Sequence, residues 1–423
     1  MPGLARRLAF ASALAPAFAM ALTVGGCGST TDSLGYDNPG KLLPVTGPTS
    51  YPNPFRDLLG ESDSAISGKI TQGFNTLFHG APSYKFYETM MDDASLTADQ
   101  AYVTDTLHND TRTEGMGLGM MICVEMNKQH EFDQLWSYAK EVLEIKSGPQ
   151  AGYFPSFCNG ANDTPTPCLD PYGFQQFVTA LIFANDRWQS TGTIDYASDV
   201  LELLHTARHK QEDNGGIVDG VTNLYDAATT LPFDVPDVSS ADVTRPSLVM
   251  PGSYGLWTQA TGDPYWTASA AAGRAFWQSA ANTLTGFMPT RATLDGTPVP
   301  GWSTFEPEGY RTQINVAIDQ IWTGGDSWNV AESNQLLAFF SAQGLKTYGK
   351  IYSLDGTMVL ESDHEPSLVV ANGITAVAST NADRSSYVSE VWNMEIPTGT
   401  ARYYTGILYM VSLLVLSGQY QVY

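Results

Sequence analysis

Beyond residue 60 the chain breaks into about a dozen helix-length segments. That feature constrains the fold more than any other. Apolar residues recur at helical spacing over 64–78, 114–126, 129–147, 173–190, 195–211, 252–262, 266–282, 309–323, 328–344, 368–379, 384–394 and 401–418. Loops rich in Gly, Pro and Asp join them. Strand signals are few and short: "KIYSL" (350–354) and "GTMVL" (356–360) flank a turn at Asp355–Gly356. No internal repeat is present, and nothing after residue 60 reads as an interdomain linker. The expectation is one all-α domain over 61–423, closed as a ring of helical hairpins rather than a four-helix bundle.

The first 26 residues belong to a different class. Arg6 and Arg7 precede an apolar run that ends in small residues before Cys27, the pattern of a secretory signal. "VGGC" also resembles a bacterial lipobox, which makes Cys27 the expected lipidation site and the membrane or cell surface the expected location; the alternative is plain secretion or a periplasmic protein. Residues 27–60, rich in Gly, Ser, Thr, Pro and Asn, are expected to form a flexible tether. In an exported protein, Cys158 and Cys168 are candidates for a short disulfide loop. Cys123, in an apolar helix, reads as a small buried hydrophobe. Forty-four acidic residues against 21 basic give a net charge of −23, which argues against a nucleic-acid partner. A monomer acting on a neutral ligand is expected.

One segment poses a chemical question. "NDTRTEGMGLGMMICVEM" (109–126) reads as a buried helix, yet it carries Gly115, Gly117 and Gly119 behind an acid, Glu114. Each interior glycine costs roughly 1 kcal/mol relative to alanine. A capping box from Thr111 to Glu114 explains the acid but not the glycines. The functional alternative is a carboxylate at the base of a cleft, with the glycines admitting a ligand or a neighbouring helix. A helix N-terminus lowers a carboxyl pKa. A general acid there therefore needs apolar burial or a like charge, for which Asp110 is the candidate.

The same stretch resembles the signature "D-x-R-S-E-G-M-S-x-G-M-M-I" of glycoside hydrolase family 8, above all its branch of reducing-end xylose-releasing exo-oligoxylanases. The resemblance continues in order through "GYF" (152–154), "FVTALIFANDRW" (177–188), "PGSYGLW" (251–257), "TLTGFMPTRATLDGTPV" (283–299), "YRTQINVAIDQIW" (310–322), "HEPSLVVANG" (364–373) and the C-terminal 402–423. It implies an (α/α)6 barrel with a substrate cleft across one end. It also implies hydrolysis of β-1,4-linked glycans with inversion, xylo-oligosaccharides being the first guess and an endo-acting glucanase, xylanase or chitosanase the second. Nine Trp and 21 Tyr suit a surface that stacks on sugar rings. No cofactor and no metal are implied.

By the same resemblance Glu114 is the general acid. The base position in the family's "D-A-x-R" falls on Glu308 in "EGYR", with Arg311 kept and Glu306 as rival; Asp319 reads as structural. The third family acid falls on Tyr172 without a gap, or on Asp170 with a two-residue insertion. Arg112, Tyr153, Tyr254, Arg311 and His364 lie in matching motifs and are expected to line the substrate site. Departures concentrate in the cleft lining: where the family has "D-P-S-Y-H-L-P", this chain has "RPSLVMP", with Arg245 in place of an aspartate. They leave open an altered substrate or a glycan-binding protein without activity. His205 and His209 are one helical turn apart, but a surface helix explains them better than a metal pair.

Overall fold

The computed structural model describes residues 41–158, 168–190 and 192–423. Thirteen α-helices follow one another: α1 Pro54–Asp57, α2 Asp63–His79, α3 Thr113–Glu125, α4 Gln129–Tyr138, α5 Pro171–Trp188, α6 Tyr196–Asp213, α7 Pro251–Thr261, α8 Pro264–Ala280, α9 Pro307–Thr323, α10 Ser327–Gln343, α11 Pro366–Ala378, α12 Arg384–Asn393 and α13 Tyr404–Leu416. A π-helical turn, Ala139–Leu143, extends α4. Helices α3, α5, α7, α9, α11 and α13 each pack on the next, and α13 closes on α3. Outside them, α4, α6, α8, α10 and α12 each pack on the inner helix before them, and α2 packs on α13. This is a closed double ring of six helical hairpins, an (α/α)6 barrel.

The inner helices are apolar almost all round, as a doubly covered layer requires. In α13 every residue from Thr405 to Leu416 is buried; in α3 every residue except Glu114 is. The starts of the helices explain the loop composition. Asp170, Asp263 and Asp326 cap α5, α8 and α10 through their side chains, and Pro171, Pro251, Pro264, Pro307 and Pro366 sit in the first turns of α5, α7, α8, α9 and α11. Several helices therefore begin about two residues before the periodicity suggests, because proline at N1 has no N–H to lose. This shift moves Glu308 from an expected loop into the first turn of α9.

Short antiparallel strands decorate the loops. β1 (Tyr87–Thr89), β2 (Ala101–Asp105), β3 (Asp110–Arg112) and β4 (Phe157–Cys158) form one sheet. β5 (Val243–Thr244) pairs with β6 (Ala292–Thr293). β7 (Thr304–Phe305) joins the expected hairpin of β8 (Ile351–Ser353) and β9 (Val359–Glu361).

The leader, Cys27 and the rest of 1–40 lie outside the described residues. The expected tether does not extend to residue 60. Leu42, Val45 and Phe55 are buried, Leu43 N–H donates to Ala260 O at 2.8 Å, and Phe55 packs edge-on against Trp392. Apolar anchors inside a polar stretch dock residues 41–60 on the barrel. Cys168 carries a free, exposed thiol; the side chain of Cys158, its expected partner, lies outside what the structure describes. The backbone pairs nearby, Pro155 bridging to Leu169. Among the described residues no helix is long and apolar enough to cross a membrane.

Candidate active site

The glycines of α3 are contact points for protein, not for ligand. A Cβ on Gly117 would lie 2.7 Å from Gln176 Cβ and 2.9 Å from Gly173 O. A Cβ on Gly173 would lie 2.4 Å from the Thr113 carbonyl and 2.6 Å from Glu114 N. Helices α3 and α5 thus meet backbone against backbone. Gly115 leaves the space that the Tyr403 ring fills. The helix starts at Thr113 with Arg112 as N-cap, so the expected Thr111 capping box does not form; Thr111 belongs to β3.

Three inner helices present carboxylates from their N-terminal ends: Glu114 on α3, Asp170 capping α5 and Glu308 on α9. Arg311, one turn along α9 from Glu308, joins the first and the last. Its Nη2 lies 2.9 and 3.0 Å from the two Glu114 oxygens, and its Nη1 donates to Glu308 at 2.9 Å. Tyr172 and Tyr404 place their rings 5.3 Å from the same guanidinium. The carboxylates do not touch each other; a single cation spans the gap between them. Both side chains keep a minor accessible fraction, 16% for Glu114 and 18% for Glu308.

The two acids have opposite electrostatics. Burial pushes Glu114 up; Arg311 pulls it down, Asp170 and Glu308 push it up again, and it settles at about 7. Burial also acts to raise Glu308, but Arg311, Arg245 and Ser247 outweigh it and hold Glu308 at about 2. Arg245 Nη1 donates to Glu308 at 3.1 Å, and the Ser247 hydroxyl donates to its other oxygen. The like charges that raise Glu114 are Asp170 and Glu308, not the expected Asp110, which is paired with Arg112. Asp170 accepts from Tyr172 and Gly173 N–H at 2.9 and 3.2 Å. Burial raises its pKa against the pull of Arg245 and Arg311.

The other expected site residues have partners of their own. Arg112 is held by Asp105 and Asp110. Tyr153 is buried, its hydroxyl donating to Thr222 O at 3.0 Å, and Tyr254 is buried with its hydroxyl on Gln175 Oε1 at 2.8 Å. His364 faces Tyr348 O and Glu390, and lines a separate pocket of about 830 Å³ with Leu58, Pro366 and Ser389. Glu306 accepts from Thr290. Asp319 is fully buried on Arg274 and Asn329, a structural role as expected. His205 and His209 pair with Asp213 and Glu212, and no metal cluster occurs among the described residues. Sequence reasoning missed Ser247, Tyr403 and Tyr404, and read Arg245 only as a departure. The residue Arg245 serves, Glu308, is 63 positions away.

An acid poised near neutrality and a firmly ionised carboxylate, linked across one gap at one end of an (α/α)6 barrel, define a glycosidase. The family model for glycosyl hydrolases family 8 matches residues 94–418, and the chain belongs to that family. Among its relatives is the reducing-end xylose-releasing exo-oligoxylanase Rex8A of Paenibacillus barcinonensis, 32% identical over 384 residues, covering 88% of this chain and 97% of the relative. A reducing-end xylose-releasing exo-oligoxylanase of Halalkalibacterium halodurans is 30% identical, covering 88% and 94%. The structure of Rex8A complexed with xylose superposes with a TM-score of 0.81 at 32% identity, covering 88% of this chain and 98% of the other.

Proposed function

We propose that this glycosidase hydrolyses β-1,4-linked xylo-oligosaccharides with inversion, Glu114 acting as general acid and Glu308 as general base. The observation that carries the reading is the pair of carboxylates bound to one guanidinium with pKa values pushed apart, one to about 7 and one to about 2. In the proposed step protonated Glu114 gives its proton to the glycosidic oxygen as the bond to the anomeric carbon breaks. A water on the opposite face attacks that carbon and passes a proton to Glu308. Inverting enzymes hold acid and base roughly 6.5–9.5 Å apart to admit that water. Arg311 keeps the two groups separate and Glu308 ionised. Asp170, at the N-cap of α5 and close enough to Glu114 to raise its pKa, is proposed to hold the sugar at the point of cleavage.

The substrate class follows from the relatives named above. The signal-like leader and Cys27 support export with a lipid anchor. The test is a reducing-sugar assay on xylobiose to xylohexaose, with NMR detection of the anomer first formed. Wild type should release the α-anomer, and Glu114→Gln and Glu308→Ala should each lose most turnover. Retained turnover in Glu308→Ala, with loss in Glu306→Ala, would move the base to Glu306.

A further inference from the structure

The β5–β6 ladder sets Thr244 opposite Ala292, which brings Arg245 and Arg291 side by side at its end. Both reach one buried carboxylate: Arg245 Nε lies 2.6 Å and Arg291 Nε 3.0 Å from the two oxygens of Asp234. Arg245 spends its other arm on Glu308. Among the described residues Arg291 has no second acid. Its guanidinium carbon lies 4.0 Å from the centre of the Trp302 ring, and main-chain bonds from Arg291 to Trp302 and from Val299 to Arg291 fix the two segments together. The indole is 42% exposed and the Arg291 side chain 35%. With Nε 3.0 Å from Asp234 and the indole on one side, the guanidinium presents its two terminal nitrogens as a fork three ion pairs away from the catalytic base.

Arg245 and Arg311 are matched by Asp234, Glu308, Glu114 and Asp170, whereas Arg291 reaches only Asp234 among the described residues. A guanidinium fork matches a carboxylate bidentately. An exposed indole beside it offers a face for a sugar ring.

We propose that Arg291 and Trp302 form a subsite for a carboxylate-bearing sugar, so that the preferred substrate is an oligosaccharide carrying a uronic acid close to the bond that is cleaved. This rests on the glycosidase reading above. Arg291 binds the carboxylate, Trp302 backs the guanidinium and stacks on the ring, and Asp234 with Arg245 ties the subsite to Glu308.

The experiment compares kcat/KM for xylo-oligosaccharides of equal length with and without a glucuronic acid branch. Calorimetric binding of the same pair to Glu114→Gln runs beside it. Wild type should favour the acidic substrate at least tenfold. Arg291→Gln should lower that ratio at least tenfold, and so should Arg291→Lys, which keeps the charge beside Asp234 but loses the fork. The ratio is the readout, so a general loss of activity does not mimic the result. Equal handling of the two substrates by wild type, or a ratio unchanged in both variants, overturns the proposal. If wild type hydrolyses neither substrate, the glycosidase reading fails. The binding ratio then decides the subsite alone: a tenfold preference lost in both Arg291 variants sustains it, and no preference refutes it.

Discussion

Replacing Arg311 by methionine removes the cation that contacts both Glu114 and Glu308 while keeping most of the stem between Tyr172 and Tyr404. Arg311 touches both Glu114 oxygens at 2.9–3.0 Å. An opposite charge that close lowers a carboxyl by about 1–3 units. Glu114 stands at about 7 with the guanidinium present, burial being the main cause; without it, the pKa should rise to about 8–10. Each unit is about 1.36 kcal/mol of differential interaction. Glu308 should rise as well, yet Arg245 and Ser247 still hold it. The assay is kcat/KM for xylotriose between pH 4 and 10. Wild type should show one descending limb near pH 7, where Glu114 loses its proton, and no ascending limb in this range, because Glu308 ionises near 2. In Arg311→Met the descending midpoint should move up by at least one unit, whatever happens to the amplitude. A midpoint that stays put or moves down would refute the electrostatic account of the pair.

Glu114→Gln should be more stable than wild type at pH 8 by about 3 kcal/mol, because folding raises the carboxyl from 4.5 to about 7 and stability is lost as pH rises through the folded value; urea unfolding should show the difference vanishing by pH 4. Gly173→Ala puts a methyl group 2.4 Å from the Thr113 carbonyl, so it should cost about 3 kcal/mol or more in urea unfolding and lower turnover by displacing Glu114; near-wild-type values for both would mean the helices can part freely. A chain beginning at residue 61 loses the buried Leu42, Val45 and Phe55, worth roughly 1.5–3 kcal/mol each; an unchanged melting temperature would show that 41–60 is a tether after all.

The barrel was legible because its signals are local. Helical periodicity and apolar runs gave twelve segments, each within a few residues of a helix found in the structure. Five of them start late because proline at N1 reads as loop, while 129–147 and 401–418 run past the helices they match. The motifs around Glu114 and Glu308 picked out the two carboxylates that Arg311 joins in the structure. The aromatic residues were not legible. Tyr153 and Tyr254 look like sugar platforms in "GYF" and "GSYGLW", but Thr222 and Gln175 take their hydroxyls from distant parts of the chain. Arg245 looked like the loss of an acid. Only the fold shows that its guanidinium lands on Glu308, with Asp234 behind it. His364 kept its motif but turned toward Glu390. Side-chain partners set by tertiary contact are what a sequence pattern does not carry.

The bare contact between α3 and α5 has a bearing on how this enzyme can be redesigned. The main chain that carries Glu114 rests against Gly173, where no side chain intervenes and none fits. That contact fixes the main chain beneath Glu114. Arg291 and Trp302 sit on loops outside it. A designer can exchange the groups proposed to select the sugar while the proposed proton donor keeps its backbone in place, so substrate range and proton transfer become two separately adjustable parts of one barrel.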